Sequence, residues 1–298
     1  MRYSASSKKY LNEFEESKDI LHWLSFFSSF VWDELKFASI EDSSVSKIDE
    51  REITNRFVRE LAKIIKLDQV PLPIRLFHSP RESVNGSDIE IIVQLSKDEN
   101  LIFPCQAKRL YVEKTKNDNL RSKYQKYNYK TQKDDLIEYA ERINGFPLYL
   151  FYNYTEYPIN TNYHYPDKKL YGCTLGSAIN LRLKNVTTPT FESFHPPSVP
   201  LTSIASFKSF YSLNNIWGKT DRHHAKLLTD KEVFGDKLWE EIGSPIYHID
   251  RFSKYIDLNR VLTIPSAHDY SGRFSPKFRI VFTAEKINLN CRKNNFSL

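Results

Sequence analysis

The chain has 298 residues, 40% of them hydrophobic and 14% aromatic, with eight glycines. This is the composition of a folded protein rather than a disordered tail, with enough apolar surface for one large domain or two small ones. A net charge of +6 is modest, so any attraction to an anionic partner must come from its distribution along the chain.

Residues 8–38 read as one or two aromatic-rich helices with Phe14, Leu21, Leu24, Phe27, Val31 and Leu35 on an apolar face. The most apolar stretch, 20–32, is interrupted by His22, Ser25, Ser28 and Ser29 and is too short to span a bilayer. No signal-type apolar core follows the first residues. Asp49-Glu50-Arg51-Glu52 opens a second helix, in which Ile53, Phe57, Leu61 and Ile64 recur at helical spacing; Asp49 with Glu52 also reads as a capping pair. Two strand-like runs follow, Gly86–Leu95 and Leu101–Leu110, joined by the polar 96–100. A helix from about Thr131 should stop at Asn144-Gly145, and Phe146–Tyr154 reads as a buried strand. Leu170–Gly176 looks like a further strand, and a Pro-rich break comes at 195–200. Beyond it we expect a helix capped by Thr229 and strands at Arg260–Pro265 and Phe278–Thr283.

The chemistry concentrates on the two strand-like runs. Alternate side chains of a strand share a face, so Asp88 pairs with Glu90 and Gln106 with Lys108. A hairpin centred on Asp98 sets Asp88 opposite Lys108 and Glu90 opposite Gln106. Two carboxylates, an amide oxygen and an ammonium on one patch suit a hard divalent cation beside a phosphate. The same charges also suit the wet face of an ordinary hairpin, where a cross-strand ion pair contributes about 0.2–1 kcal/mol.

In this order of elements the chain resembles the restriction-endonuclease-like PD-(D/E)xK nuclease superfamily, in its Mrr-like Q-x-K variant. Gly86-Ser87-Asp88-Ile89-Glu90, then Gln106-Ala107-Lys108-Arg109-Leu110, then Pro147-Leu148-Tyr149 also resemble a bacterial domain family with G-A-D-x-E, Q-A-K-R-L and P-L-Y motifs. The resemblance spans roughly residues 45–180. It implies an α/β fold, a restriction-endonuclease-like core whose central mixed β-sheet is flanked by helices. It implies Mg (or Mn) as cofactor, with Asp88, Glu90 and Gln106 as metal ligands, Lys108 as the catalytic cation, and Glu52 as the helix glutamate facing the metal. The sequence departs from the superfamily pattern twice. No proline precedes Asp88, and Gln106 replaces the usual carboxylate, removing one negative charge.

Between Lys108 and Lys133 there are nine Lys or Arg residues against Glu113 and Asp118, interleaved with Tyr111, Tyr124, Tyr127 and Tyr129. Cations neutralise phosphates and tyrosine rings stack on bases. Arg109, Lys114, Lys116, Arg121, Lys123, Lys126 and Lys130, with Gln132 from the following helix, are therefore the candidate nucleic-acid contacts. Cys105, Cys173 and Cys291 form neither a zinc pattern nor a disulfide framework, and His223-His224 is a poor metal pair. No GxGxxG or Walker-type loop is present.

The resulting expectation has three parts: an aromatic helical extension at 1–44, a nuclease core at 45–194, and an α+β region at 195–298 for substrate or partner contact. The function expected is a cytoplasmic, metal-dependent nuclease acting on DNA, by analogy a prokaryotic defence effector, with endonucleolytic cutting favoured. A homodimer and an activating partner or ligand are compatible with it. The rivals are a catalytically inactive nuclease fold that binds nucleic acid or a protein, and a structural interaction module.

Overall fold

The computed structural model describes residues 20–40, 48–67, 74–78, 89–96, 99–114, 120–124, 129–156, 167–179, 198–205, 228, 240–242 and 276–283. Helix α1 spans Ile20–Ile40 and α2 spans Glu50–Leu67. Strands β1 (Ile74–His78), β2 (Ile89–Ser96), β3 (Glu99–Lys114) and β4 (Leu120–Tyr124) follow. Then come α3 (Tyr129–Arg142), β5 (Leu148–Tyr152), a 3-10 turn at Lys168–Gly172, β6 (Cys173–Ser177), β7 (Val199–Pro200), a second 3-10 turn at Leu201–Ala205, β8 (Glu240–Ile242) and β9 (Phe278–Thr283). The architecture is α/β. One mixed sheet runs in the order β7-β6-β5-β3-β2-β9-β1-β8, with β4 paired to the far end of β3.

Strand alternation divides the sheet's two faces. Ile89, Ile91, Val93, Phe103, Cys105, Ala107, Leu148, Leu150 and Tyr152 join the main core with Trp23, Leu24 and Phe27 of α1 and Ile53, Phe57 and Leu61 of α2. Each such large apolar side chain contributes about 1.5–3 kcal/mol on burial. The helical spacing read in α1 and α2 thus marks the core face, with one correction. Leu21, in the first turn of α1, is 46% exposed. The 3-10 turn approaches the backbone of α1 so closely that a Cβ at Gly172 would stand 1.9 Å from the Ser28 carbonyl oxygen. Glycine is required there by contact, and the buried Ser28 in α1 is its counterpart.

On the other face Phe77, Ile92, Ile102, Leu228 and Val281 form a smaller cluster, with Ile143 packed on it. Helix α3 lies on this side, its Leu136 and Ala140 fully buried. It ends in a Schellman motif: the Gly145 N–H donates to the Ala140 carbonyl at 2.8 Å and the Asn144 N–H to that of Glu141 at 3.2 Å. Asn144, at φ 55°, takes the left-handed position. Gly145 lets the chain cross tightly over the Ile102 carbonyl. From there β5 enters parallel to β3, buried at every residue.

Several expectations change. The β2–β3 register sets Glu90 opposite Pro104 and Ile89 opposite Cys105, two residues away from the pairing expected from a turn centred on Asp98. The cause is a tighter connection, with Ser96 opposite Glu99 and a register shift between Gln94 and Ser96. The strand expected at Leu170–Gly176 begins only at Cys173, after the 3-10 turn. Strand β9 matches its expected bounds but sits between β1 and β2, parallel to β2 and antiparallel to β1. The segment 195–298 therefore contributes β7, β8 and β9 to the same sheet as the expected nuclease core. Phe14, the helix expected after Thr229, the strand at Arg260–Pro265, Cys291 and His223-His224 lie outside the described residues.

Candidate functional site

Strand β3 carries Gln106 and Lys108 on the sheet face that α3 covers. Both are buried, at 5% and 4% exposure. The Lys108 ammonium donates to Gln132 Oε1 at 2.9 Å, so the Q-x-K strand and the first turns of α3 meet at the candidate cation. Gln106 Oε1 is buried with no hydrogen-bond partner among the described residues. A buried amide oxygen left unsatisfied costs about 1–3 kcal/mol, so such an atom points to a missing donor or cation.

Glu90 lies on the same face and is wholly buried. Register sets it beside Arg279 of β9. Arg279 Nη2 and Nε each approach Glu90 Oε2 at 2.7 Å, and the Tyr139 hydroxyl of α3 donates to Oε1. Both carboxylate oxygens are thus engaged by protein. Burial first, then the Glu90 charge, pushes the Tyr139 phenol far above its ordinary range, so it stays a donor. Glu90 is expected as a metal ligand, yet the structure ties it to β9 and α3. The helix sequence shows the relation only in hindsight: Gln132, Leu136, Tyr139 and Ile143 recur on one face of α3.

The N-terminus of α2 lies behind β3, toward the main core face. Glu50, rather than Glu52, reaches the strand, with long contacts of 3.4 Å from the Arg109 N–H to Oε1 and from the Tyr111 hydroxyl to Oε2. Glu52 donates its N–H to the Asp49 carboxylate at 2.8 Å, which is the capping relation. Its own carboxyl is raised above its usual range, first by burial and then by Asp49, with Arg56 and Arg59 opposing. The charges that act on Glu52 are those of Asp49, Arg56, Arg59 and Glu34, and neither Gln106 nor Lys108 is among them.

Arg109 is 7% exposed, packed 4.5 Å from the Tyr111 ring centroid, with Nε and Nη1 unpartnered among the described residues. It is a buried cation near the acidic start of α2, not a surface contact. Tyr111 is pushed up to about 12 by burial and by Glu50. Of the other basic candidates, Lys114, Arg121 and Lys123 sit on the β3–β4 ribbon, with Glu113 opposite Arg121 and Tyr111 opposite Lys123 in register; Lys130 is in the first turn of α3. Asp88, Lys116 and Lys126 lie outside the described residues. Among those described, no group of three His, Cys, Asp or Glu side chains gathers as a metal site. No described helix is long and apolar enough to cross a membrane.

Residues 21–257 match a protein family described as "Family of unknown function (DUF6615)". The chain belongs to this family. Every candidate site residue from Glu52 to Gln132 falls within the DUF6615 match, whereas β9 with Arg279 lies beyond it. No curated protein and no solved structure matches the chain.

Proposed function

We propose that this chain is a metal-dependent nuclease that hydrolyses phosphodiester bonds, with DNA as its substrate, on a restriction-endonuclease-like core. The observation that carries the reading is the buried, unpartnered Gln106 oxygen on the same strand face as the buried Lys108. The order of elements supports it: an acidic helix start, an Asp-bearing run into β2, the Q-x-K strand, a covering helix, and a buried strand parallel to the Q-x-K strand.

Hard oxygen donors suit Mg²⁺ or Mn²⁺, and the orphaned amide oxygen fits such an ion, with Gln106 and Asp88 as the residues to hold it. The ion would supply polarisation of the phosphoryl oxygen and a lowered pKa for water. Lys108 offsets charge on the phosphate in the transition state, and Gln132 fixes where its ammonium points. Glu90, held by Arg279 and Tyr139, shapes the wall of the site rather than ligating.

That commitment of Glu90 also favours a second reading, a nuclease fold that has lost cleavage and binds nucleic acid. With Gln106 neutral and Glu90 paired, Asp88 is the one carboxylate left for the ion in this assignment. The test is supercoiled-plasmid cleavage in Mg²⁺ or Mn²⁺, wild type beside Lys108→Ala and Asp88→Ala. Metal-dependent cutting lost in both variants is the expected result. Cutting at the wild-type rate by either variant would refute the assignment. No cutting by any of the three, together with salt-sensitive DNA binding and no metal-dependent thermal shift, would select the second reading.

A further inference from the structure

We propose that Arg279, delivered by β9 from the far end of the chain, is a positioning residue for the Lys108 site. It acts through Glu90 and Tyr139, which together set where α3 places Gln132.

Three contacts form one line across the sheet. Arg279 grips one oxygen of Glu90 with two nitrogens, which fixes the carboxylate plane. The other oxygen takes the Tyr139 hydroxyl, which pins the second half of α3 over β2. Gln132 precedes Tyr139 by seven positions, two helical turns or about 10.5 Å along the axis, on the same face. There it meets Lys108 at 2.9 Å. Helix α3 is thus attached to the sheet by polar contacts at both ends of one face, with the fully buried Leu136 between them.

A helix held by apolar packing alone can slide or roll by fractions of a turn, because dispersion contacts are individually weak and undirected. Charged hydrogen bonds at short range are directional and remove that freedom. The Glu90–Tyr139 contact sets the rotation of α3 about its axis, and Gln132 follows because the helix is rigid between them. Arg279 makes this possible, since it is the cation that grips the wholly buried Glu90 carboxylate and holds it in place for Tyr139. The consequence for catalysis rests on the nuclease reading, whereas the positioning of the Lys108 ammonium does not.

The experiment reads the Lys108 amine directly, as its rate of acylation by N-hydroxysuccinimidyl acetate, measured at that residue by mass spectrometry in the intact chain. Tyr139→Phe keeps the ring and removes one hydroxyl; Arg279→Lys keeps the charge and removes the two-pronged grip. Both should raise the Lys108 rate by roughly three- to tenfold, the scale of coupling between contacting residues. Ile280→Val, on the opposite face of β9, serves as the control for general loosening and should leave the rate at the wild-type value. An unchanged rate in Tyr139→Phe would overturn the proposal, and so would an equal rise in Ile280→Val. If the wild type cuts plasmid, the two relay variants should lower kcat with KM unchanged. If it does not cut, the nuclease reading fails while the acylation result still decides this one.

Discussion

Breaking the Glu90–Arg279 pair tests how the sheet's centre is held. Glu90 is 0% and Arg279 6% exposed, so neither has water to fall back on when its partner is removed. Arg279→Met leaves a buried carboxylate with the Tyr139 hydroxyl alone, and Glu90→Leu leaves a buried guanidinium. Each should cost about 3–5 kcal/mol, the usual cost of removing one member of a buried ion pair. A domain's whole stability is about 5–15 kcal/mol, so either variant sits close to unfolding. The double variant removes both charges and replaces them with apolar groups of similar length. It should return to within about 2 kcal/mol of wild type, since exchanging a buried pair for packed apolar residues is near neutral. Urea unfolding followed by tryptophan fluorescence, run as a double-mutant cycle, gives all four values. If each single variant costs under about 1 kcal/mol, or the two losses simply add, the pair is behaving as a solvated one and the reasoning is wrong.

Gly172→Ala should destabilise the fold by about 3 kcal/mol or more, read in the same urea assay, because its Cβ would meet the Ser28 oxygen at 1.9 Å and both sides are backbone. Asn144→Ala should cost about 1 kcal/mol and Asn144→Gly at most a few tenths, since φ of 55° is left-handed; equal losses would show that the cap does not depend on backbone conformation. His78 is lowered from 6.5 to about 4, chiefly by burial and then by Lys277. A depressed histidine means the unfolded chain binds the proton more readily. Its share of stability is therefore complete above about 6.5 and lost as pH falls to about 4, with a slope of at most about 1.4 kcal/mol per pH unit. His78→Phe should flatten the stability profile in that window, and an unchanged slope would locate the titration elsewhere.

What the sequence disclosed and what it withheld follow from range. The helical spacing of Phe57 and Leu61, the stop at Asn144-Gly145 and the buried run through Leu150 are local signals, and each appears where expected. The bounds of β9 were also legible, because a strand's alternation is local. Its place in the sheet was not, since nothing near Phe278 encodes pairing with residues almost two hundred positions earlier. Strands β1 and β4 were missed although Pro73 and Ser79-Pro80 bracket the first and Asn117-Asp118-Asn119 precedes the second; each is only five residues long, and β4 lies inside the run read as a basic surface. Gln106, Lys108 and Gln132 were singled out by motif and order, and the structure brings Lys108 and Gln132 together. The pairing of Glu90 with Arg279 and Tyr139 was not foreseen, because a carboxylate's partner across a sheet is invisible from its own strand. Glu50 was passed over for Glu52; two residues of helix turn a side chain by about 200°, and only packing decides which of them faces β3.

The place of β9 bears on how the protein is made. Without it the sheet falls into two parts, β7-β6-β5-β3-β2 and β1-β8, with no hydrogen bond between them among the described strands. During synthesis the edge of β2 therefore stays open while the ribosome adds nearly two hundred further residues. An uncovered apolar strand edge is a template for pairing with other chains. Pairing across so long a separation also slows folding. Until Phe278–Thr283 arrives β2 lacks this neighbour, and that interval, rather than the finished fold, is where aggregation has its opening.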